Sequence, residues 1–396
     1  MRVLRWAPAT ALLVFLSIRL LDLALFAYFG HHQAPLQAGS GAVFPAQRSG
    51  DGLADILTSW DGQWYRRIAE EGYPRTLPTD HGVVVQNAWA FYPAIPLLVG
   101  ATTALTGLPF AWAACVLDLA CACAAVVVLH RMVARHSSPT AATWTVIGLA
   151  IAPAAPVVLM AYTEGPALLV LALALEALSR ERYRSAAAWT LVLGLVRPIA
   201  PAIGLTAVGL ALIRRRRSTS PEPDWRGATL VAGTSLVSFA VWPLTAALVT
   251  GRADAYTATQ ANWLADSAAL VDRSWLLSAV SLQRPALSLA VALAAVTLIW
   301  LVSRRAARAA WPAELRAWAV AYAFFIALST RPVSSITRYL LLTVVPWWPA
   351  PEIATRPRAI QVLGMILAVL VAVLGHTWWI AIYVRSTVTG PSPSFP

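Results

Sequence analysis

The chain has 396 residues, of which 59% are hydrophobic and 12% charged, with a formal net charge of +12. Soluble domains carry about 25% charged residues, so this composition excludes a water-coated globule and requires lipid to cover most of the outer surface. All 30 basic residues are arginine, and they fall in short clusters between apolar runs, a placement that reads as membrane orientation rather than a nucleic-acid-binding face.

A membrane-crossing helix needs about 20 apolar residues, fewer where neighbours bury it. In chain order, such runs lie near 7–29, 111–130, 140–160, 165–178, 185–196, 199–213, 226–249, 285–302, 312–329, 338–350 and 359–384. They predict an all-α polytopic membrane protein of about eleven transmembrane helices in one domain spanning 1–396. The first run is too long for a signal-peptide core and lacks a clear cleavage site, so it reads as a first span with its N-terminus cytoplasmic. The arginine clusters at Arg131/Arg135, Arg180/Arg182/Arg184, Arg214 to Arg217, Arg304/Arg305/Arg308 and Arg356/Arg358 all fall on the cytoplasmic side of a plasma membrane under two conditions. The run at 91–105 must not cross but lie in the outer interface, and residues 185–213 must form a hairpin of two short helices turning at Arg197-Pro198. The outer side then holds a loop of about 30–110, long enough to be functional rather than a connector, and short segments around Tyr162-Thr163-Glu164, Arg197, 250–284 and 330–337. Residues 387–396 form a loose Pro/Ser tail. Cys115, Cys121 and Cys123 share one apolar run without metal-ligand spacing and read as small buried residues.

The most informative stretch runs from Ser59 to Pro74 in the outer loop. As a helix it places Trp60, Trp64 and Ile68 on one face, while Arg66, Arg67, Glu70 and Glu71 occupy much of the rest. Gly72 suits the C-cap, and Pro74 prevents continuation. The pattern predicts a short helix in the membrane interface, with its aromatic rings at headgroup depth. Asp61 falls in the first turn, one turn before Tyr65. The residues alone leave two roles open for it: a cap that answers the helix dipole, or a base that takes a proton from a sugar hydroxyl. Downstream, Gln86 to Leu97 carries Trp89, Phe91, Tyr92 and two prolines, and predicts a second interfacial helix.

Trp60-Asp61-Gly62 with Trp64-Tyr65, Ile68-Ala69, Gly72-Tyr73-Pro74 and Ala90-Phe91-Tyr92-Pro93 resembles the signature of the GPI mannosyltransferase 2 (PIG-V) family and its actinobacterial relatives, within the wider GT-C class of membrane glycosyltransferases. Weaker likeness continues through Tyr162-Thr163-Glu164-Gly165, Val196-Arg197-Pro198 and Thr337 to Leu341. The resemblance implies a GT-C-like fold, Asp61 as catalytic base, a polyprenyl-phosphate mannose donor, and no nucleotide-sugar domain. No G-x-G-x-x-G pattern follows a strand, in keeping with that last point. The eukaryotic family's GPI precursor does not carry over to this all-arginine chain, so the acceptor is expected only to be a lipid, glycan or protein.

Such a reaction needs cations for the departing phosphate. Arg197 sits at the hairpin turn, where an unpaired charge is expensive, Arg338 begins an outer-side helix, and Arg331 lies seven residues earlier. These three are the donor-phosphate candidates. Trp60, Trp64, Tyr65, Glu164, Tyr92 and His81 are the remaining substrate-contact candidates, with Glu164 equally suited to pairing with Arg197 or Arg338. Asp22 suits an ion pair with Arg19 within the first span, and it and Asp118 are the polar residues placed to line a cavity. Trp263, Asp266 and Asp272 are candidates for a lid. No carboxylate and histidine cluster has metal spacing, so no cofactor is required, although a divalent cation is compatible with the sequence. The competing readings are transfer of another polyprenyl-phosphate sugar, such as arabinose or glucose, and a lipid flippase or transporter. The latter usually shows two related halves with interrupted spans, and this chain shows one short hairpin and no halves.

Overall fold

The computed structural model describes residues 8–33, 52–216, 224–265, 285–330, 335–344 and 349–385. In chain order the elements are α1 (Pro8–His31), α2 (Leu53–Leu57), α3 (Asp61–Glu71), a two-stranded antiparallel hairpin of β1 (Thr79–Asp80) and β2 (Val83–Val84), α4 (Ala94–Thr106), α5 (Phe110–His136), α6 (Pro139–Ala150), α7 (Glu164–Ser179), α8 (Tyr183–Val196), α9 (Ala200–Arg216), α10 (Trp225–Thr250), α11 (Ala255–Ala265), α12 (Pro285–Ser303), α13 (Arg305–Ala310), α14 (Ala313–Ser329), α15 (Ile336–Leu341), α16 (Ala350–Ile353) and α17 (Arg358–Trp379). The protein is an all-α polytopic membrane protein, with a small β-hairpin that the sequence reading did not foresee.

Among the described residues, four helices are apolar and long enough to cross a bilayer: α1, α5, α10, and α17 with the π turn that carries it to Val384. Other apolar helices are shorter, among them α6 with 12 residues, α9 and α14 with 17 and α12 with 19. α4 has 13 residues, about 20 Å at 1.5 Å per residue, shorter than a hydrocarbon core of about 30 Å. It packs against α3 and α5, with Gly100 against Ala69.

The turn at Arg197-Pro198 does make a hairpin. Arg214, near the end of α9, returns to the start of α8, pairing with Glu181 at 2.9 Å and donating to the Tyr183 hydroxyl at 3.3 Å. Both helices lie against α10, where Gly194 faces Ser238 and Gly204 faces Ser235; small residues permit this close approach without a large apolar side chain between the backbones.

Two predicted spans are corrected. The run 140–160 is not one helix: α6 ends at Ala150, and a bent segment with a 3-10 turn at Ala155–Leu159 follows. Pro153 and Pro156 lack the N–H that continuation needs. The run 338–350 is not one helix either, since α15 ends at Leu341, Val344 has φ +63, and the next helix starts at Ala350.

The freed carbonyls after α6 are buried, where an unpaired polar group is costly. Buried cationic and imidazole groups meet them. Arg19 donates to Ala150 O at 2.6 Å and also to Ala155 O, and His376 contacts Ala152 O at 3.1 Å. Asp22 holds both partners, 3.1 Å from Arg19 Nε and 2.6 Å from His376 Nδ1. This cluster joins α1, the bent segment and α17 in the middle of the bundle.

The basic clusters gather at one end. Arg135 and Arg180 share Glu176, Arg214 reaches Glu314 at 3.4 Å, Arg304 pairs with Glu352 at 2.7 Å, and His136 contacts the Arg308 carbonyl at 3.3 Å. Glu164 and Arg180 lie at opposite ends of α7, which has 16 residues and a length of about 24 Å. Glu164 belongs to the second group of charges, at the far end.

Candidate active site

The site begins with a strained residue. Trp60 precedes α3 with φ +58, a backbone state that costs a residue with a Cβ about 1–3 kcal/mol unless its surroundings impose it. Here they do. The buried indole donates from Nε1 to Val384 O at 2.9 Å, tying α3 to the far end of the chain, and Ala161 N donates to Leu57 O at 2.8 Å just before it. Gly62 then lets α3 lie against Ala161, where an added Cβ would stand 3.3 Å from that residue's own. The outcome is Asp61 at the first position of α3, with its carboxylate 24% exposed.

Asp61 is the exposed end of a chain of ion pairs. Its Oδ2 lies 2.6 Å from Arg338 Nη2, Arg338 Nη1 lies 3.4 Å from Glu164 Oε1, and Arg197 Nη1 lies 2.7 Å from the same oxygen. Four separate parts of the chain supply these groups: α3, α7, the α8–α9 turn and α15. Glu164 is fully buried and its Oε2 also accepts the Thr163 N–H at 3.2 Å. Both guanidiniums lie over rings, Arg338 5.0 Å from Tyr162 and 5.3 Å from Tyr339, and Arg197 5.3 Å from Tyr339. Such stacking stabilises a desolvated guanidinium without consuming its N–H donors. Arg338 itself is fixed through its helix: Trp379 Nε1 donates to Thr337 Oγ1 at 3.2 Å, and Trp318 Nε1 donates to Leu342 O at 2.7 Å.

Asp118 supports this cluster from behind. Its Oδ1 accepts the Gly165 N–H at 2.9 Å, while Oδ2 is buried with no hydrogen-bond partner among the described residues. Tyr65 lies one turn after Asp61 on the same helix. Burial, and then the Asp61 charge, hold its phenol well above the ordinary value, so it can donate a hydrogen bond but cannot serve as a base near neutrality.

The structure thus brings together Asp61, Arg338, Glu164 and Arg197, with Asp118 and Tyr65 beside them. Trp60 and Trp64 are buried supports rather than open surface; Trp64 stacks on Phe91 at 5.7 Å. Other candidates fall elsewhere. Tyr92 sits in a separate aromatic group, 5.8 Å from Trp242 and 3.2 Å from the Tyr256 hydroxyl. His81 turns the β-hairpin with φ +46, 97% exposed. Asp22 is fully buried in the Arg19–His376 cluster. Arg331, Asp266, Asp272 and the side chain of Trp263 lie outside the described residues. Tyr162 and Tyr339, which carry the guanidiniums, were missed as site residues, although each adjoins a predicted one.

Among the described residues, no three of His, Cys, Asp and Glu converge as a metal site would require. Two cavities, of about 590 and 490 Å³, lie away from the cluster: one at the basic end around Arg182, Arg184 and Arg226, the other an apolar groove between α9, α12 and α14. The Asp61 cluster is distinguished by its charges. In it a partly exposed carboxylate, Asp61, and a fully buried one, Glu164, are linked through two guanidiniums that lie over aromatic rings.

Two solved structures of ArnT from Cupriavidus metallidurans share this architecture. The one bound to undecaprenyl phosphate matches with TM-score 0.54 and 15% identity, and the apo form with TM-score 0.52 and 13% identity. Each match covers 96% of this chain but 66% of the ArnT chain, so the protein spans slightly under two thirds of ArnT's length. No protein-family model and no curated protein matches the chain. The likeness establishes the fold.

Proposed function

We propose that the protein is an inverting GT-C glycosyltransferase that moves mannose from polyprenyl-phosphate mannose to a lipid, glycan or protein acceptor at the outer membrane face. The observation that carries this reading is the Asp61–Arg338–Glu164–Arg197 chain, which sets a carboxylate beside two guanidiniums at the end of the bundle away from the basic clusters. The positive-inside bias assigns those clusters to the cytoplasm, which supports an outer site for Asp61. The ArnT fold, one example of which holds undecaprenyl phosphate, supports the donor class. The sequence motif around Asp61 supports mannose as the sugar.

The chemistry follows from the groups present. The acceptor hydroxyl approaches C1 of the sugar from the face opposite the phosphate. Asp61 takes its proton as the new O–C1 bond forms and the C1–O bond to phosphate breaks, with the electron pair leaving on the phosphate oxygen. Arg338 and Arg197 balance the charge that develops there, in a site where burial strengthens the interaction. Tyr65 supplies a neutral donor to a sugar or phosphate oxygen. One displacement inverts C1, so a β-linked donor gives an α-linked product. The leaving group is already a phosphate, so the sugar needs no further activation, and a divalent cation is compatible with the reaction without being required by it.

The test is label transfer from polyprenyl-phosphate [14C]mannose into a membrane lipid extract by the purified protein and by Asp61→Asn. Transfer by the wild type that collapses in a folded Asp61→Asn variant is expected. Equal transfer by both would remove Asp61 as base. Absence of transfer by either, with active controls, would overturn mannose and direct the assay to arabinose or glucose carriers.

A further inference from the structure

We infer that the donor's phosphate enters by replacing Asp61 on Arg338, so that the base is released only when the donor is bound, while Glu164 remains the fixed counter-ion of both arginines. This mechanism rests on the transferase reading above.

The first argument is charge. Along the ion-pair chain itself, two carboxylates and two guanidiniums cancel, Asp118 behind it adds no cation, and a phosphodiester brings a further negative charge into a desolvated place. Without a vacated cation, that anion has no surplus of positive charge to answer it. One carboxylate must therefore yield.

The two carboxylates are not equally free to do so. Glu164 is fully buried and bonded to Arg197, Arg338 and the Thr163 N–H. Asp61 is 24% exposed, stands on the first residue of α3, and has its ion pair with Arg338. Rotation of Asp61 moves it toward solvent, whereas displacing Glu164 would strand a fully buried charge.

The third argument is the donor pattern of Arg338. Its Nε is buried and has no hydrogen-bond partner among the described residues, while its Nη1 faces Glu164 and its Nη2 faces Asp61 at 2.6 Å and, at a long 3.5 Å, the Ser335 hydroxyl. Guanidinium binds phosphate best through two parallel N–H donors. The Nε–Nη2 edge is the one not given to Glu164, and Asp61 occupies half of it. A bidentate phosphate on that edge uses the idle Nε and evicts Asp61 in the same movement. Until then, the carboxylate is held against Arg338 at 2.6 Å and is not free to turn to the acceptor hydroxyl. Donor binding thus precedes activation of the acceptor hydroxyl.

The mechanism predicts that a variant defective in transfer binds the carrier more tightly. Undecaprenyl phosphate is titrated into the purified full-length protein in detergent by isothermal calorimetry, with wild type, Asp61→Asn, Asp61→Ala and Glu71→Gln. Glu71 is exposed on the same helix and pairs with Arg67, so its neutralisation makes the same charge change outside the cluster. Both Asp61 variants are expected to bind about tenfold more tightly than wild type, the effect of removing one charge-assisted competitor, and Glu71→Gln to match wild type. Unchanged or weaker binding by both Asp61 variants overturns the displacement and leaves the transferase reading standing. Equal tightening by Glu71→Gln overturns it too, because the effect is then one of general charge. Failure of wild type to bind the carrier refutes the donor class along with the displacement.

Discussion

Replacing Gly165 with alanine strikes the support of the site without touching any group that meets substrate. α7 meets α5 so closely here that an added Cβ would stand 2.2 Å from the Asp118 carbonyl oxygen and 2.7 Å from its Oδ1, whereas real Cβ contacts essentially never fall below 3.0 Å. Both near atoms belong to Asp118, and one is backbone, so relief requires the two helices to part by roughly 1 Å. Overpacking of this kind costs about 1–3 kcal/mol, and weakening the Gly165 N–H bond to Asp118 adds about 1 kcal/mol, for a total near 3 kcal/mol. Glu164, the preceding residue, moves with the helix and carries Arg197 and Arg338 with it. A displacement of about 1 Å in positioning groups lowers rate roughly a hundredfold. Gly227→Ala is the control, because its Cβ would meet the Tyr183 ring at 2.2 Å at the opposite, basic end. Thermal unfolding in detergent should show both variants destabilised. Transfer measured where both are fully folded should fall about a hundredfold for Gly165→Ala and stay near wild type for Gly227→Ala. Equal transfer by the two variants would falsify the claim that the α5–α7 contact positions the charge cluster.

Other perturbations separate support from chemistry. Asp22→Asn leaves Arg19, 2% exposed, without its carboxylate and should cost about 3–5 kcal/mol in thermal or denaturant unfolding, while transfer per folded molecule stays near wild type. Trp60→Phe removes the indole bond to the buried Val384 carbonyl; it should cost about 1–3 kcal/mol and reduce transfer, because the same residue sets the start of α3. His81→Ala, at the exposed tip of the β-hairpin, should leave both transfer and unfolding unchanged, and a loss of transfer would return His81 to the site.

The sequence was most legible where local chemistry decides the outcome. α3 is an example: Trp64 and Ile68 are buried, Arg66–Glu70 and Arg67–Glu71 pair across the exposed face, and Gly72 caps with φ +76. The hairpin at Arg197 was legible as well, because the side on which Arg214 lies depends on it. Less legible were positions where apolar runs conceal a break. Residues 140–160 are apolar throughout, and hydropathy does not weigh the missing N–H of Pro153 and Pro156 against the cost of buried carbonyls. The ring cluster around Tyr92 was hidden for a related reason: an aromatic residue in a long loop is equally suited to substrate or to other rings, and Trp242 and Tyr256 arrive from distant helices. The pairing of Asp61 with Arg338 leaves no local trace either, since its partners are held by tertiary packing alone.

The break after α6 also explains why charges stand in the middle of an apolar bundle. A continuous helix from 140 to 160 would satisfy its own carbonyls and need neither Arg19 nor His376. The bend instead lets the following segment run beneath α3, where Ala161 meets Gly62 and Leu57, and it delivers Tyr162 under Arg338 and Glu164 between the two arginines. The carbonyls left without helical partners by that bend are the ones that Arg19 and His376 contact, and Asp22 neutralises the resulting positive charge. The Arg19–Asp22–His376 cluster and the Asp61–Arg338–Glu164–Arg197 cluster are therefore two consequences of one local choice. The first makes an irregular backbone tolerable away from water, and the second is what that backbone holds in place.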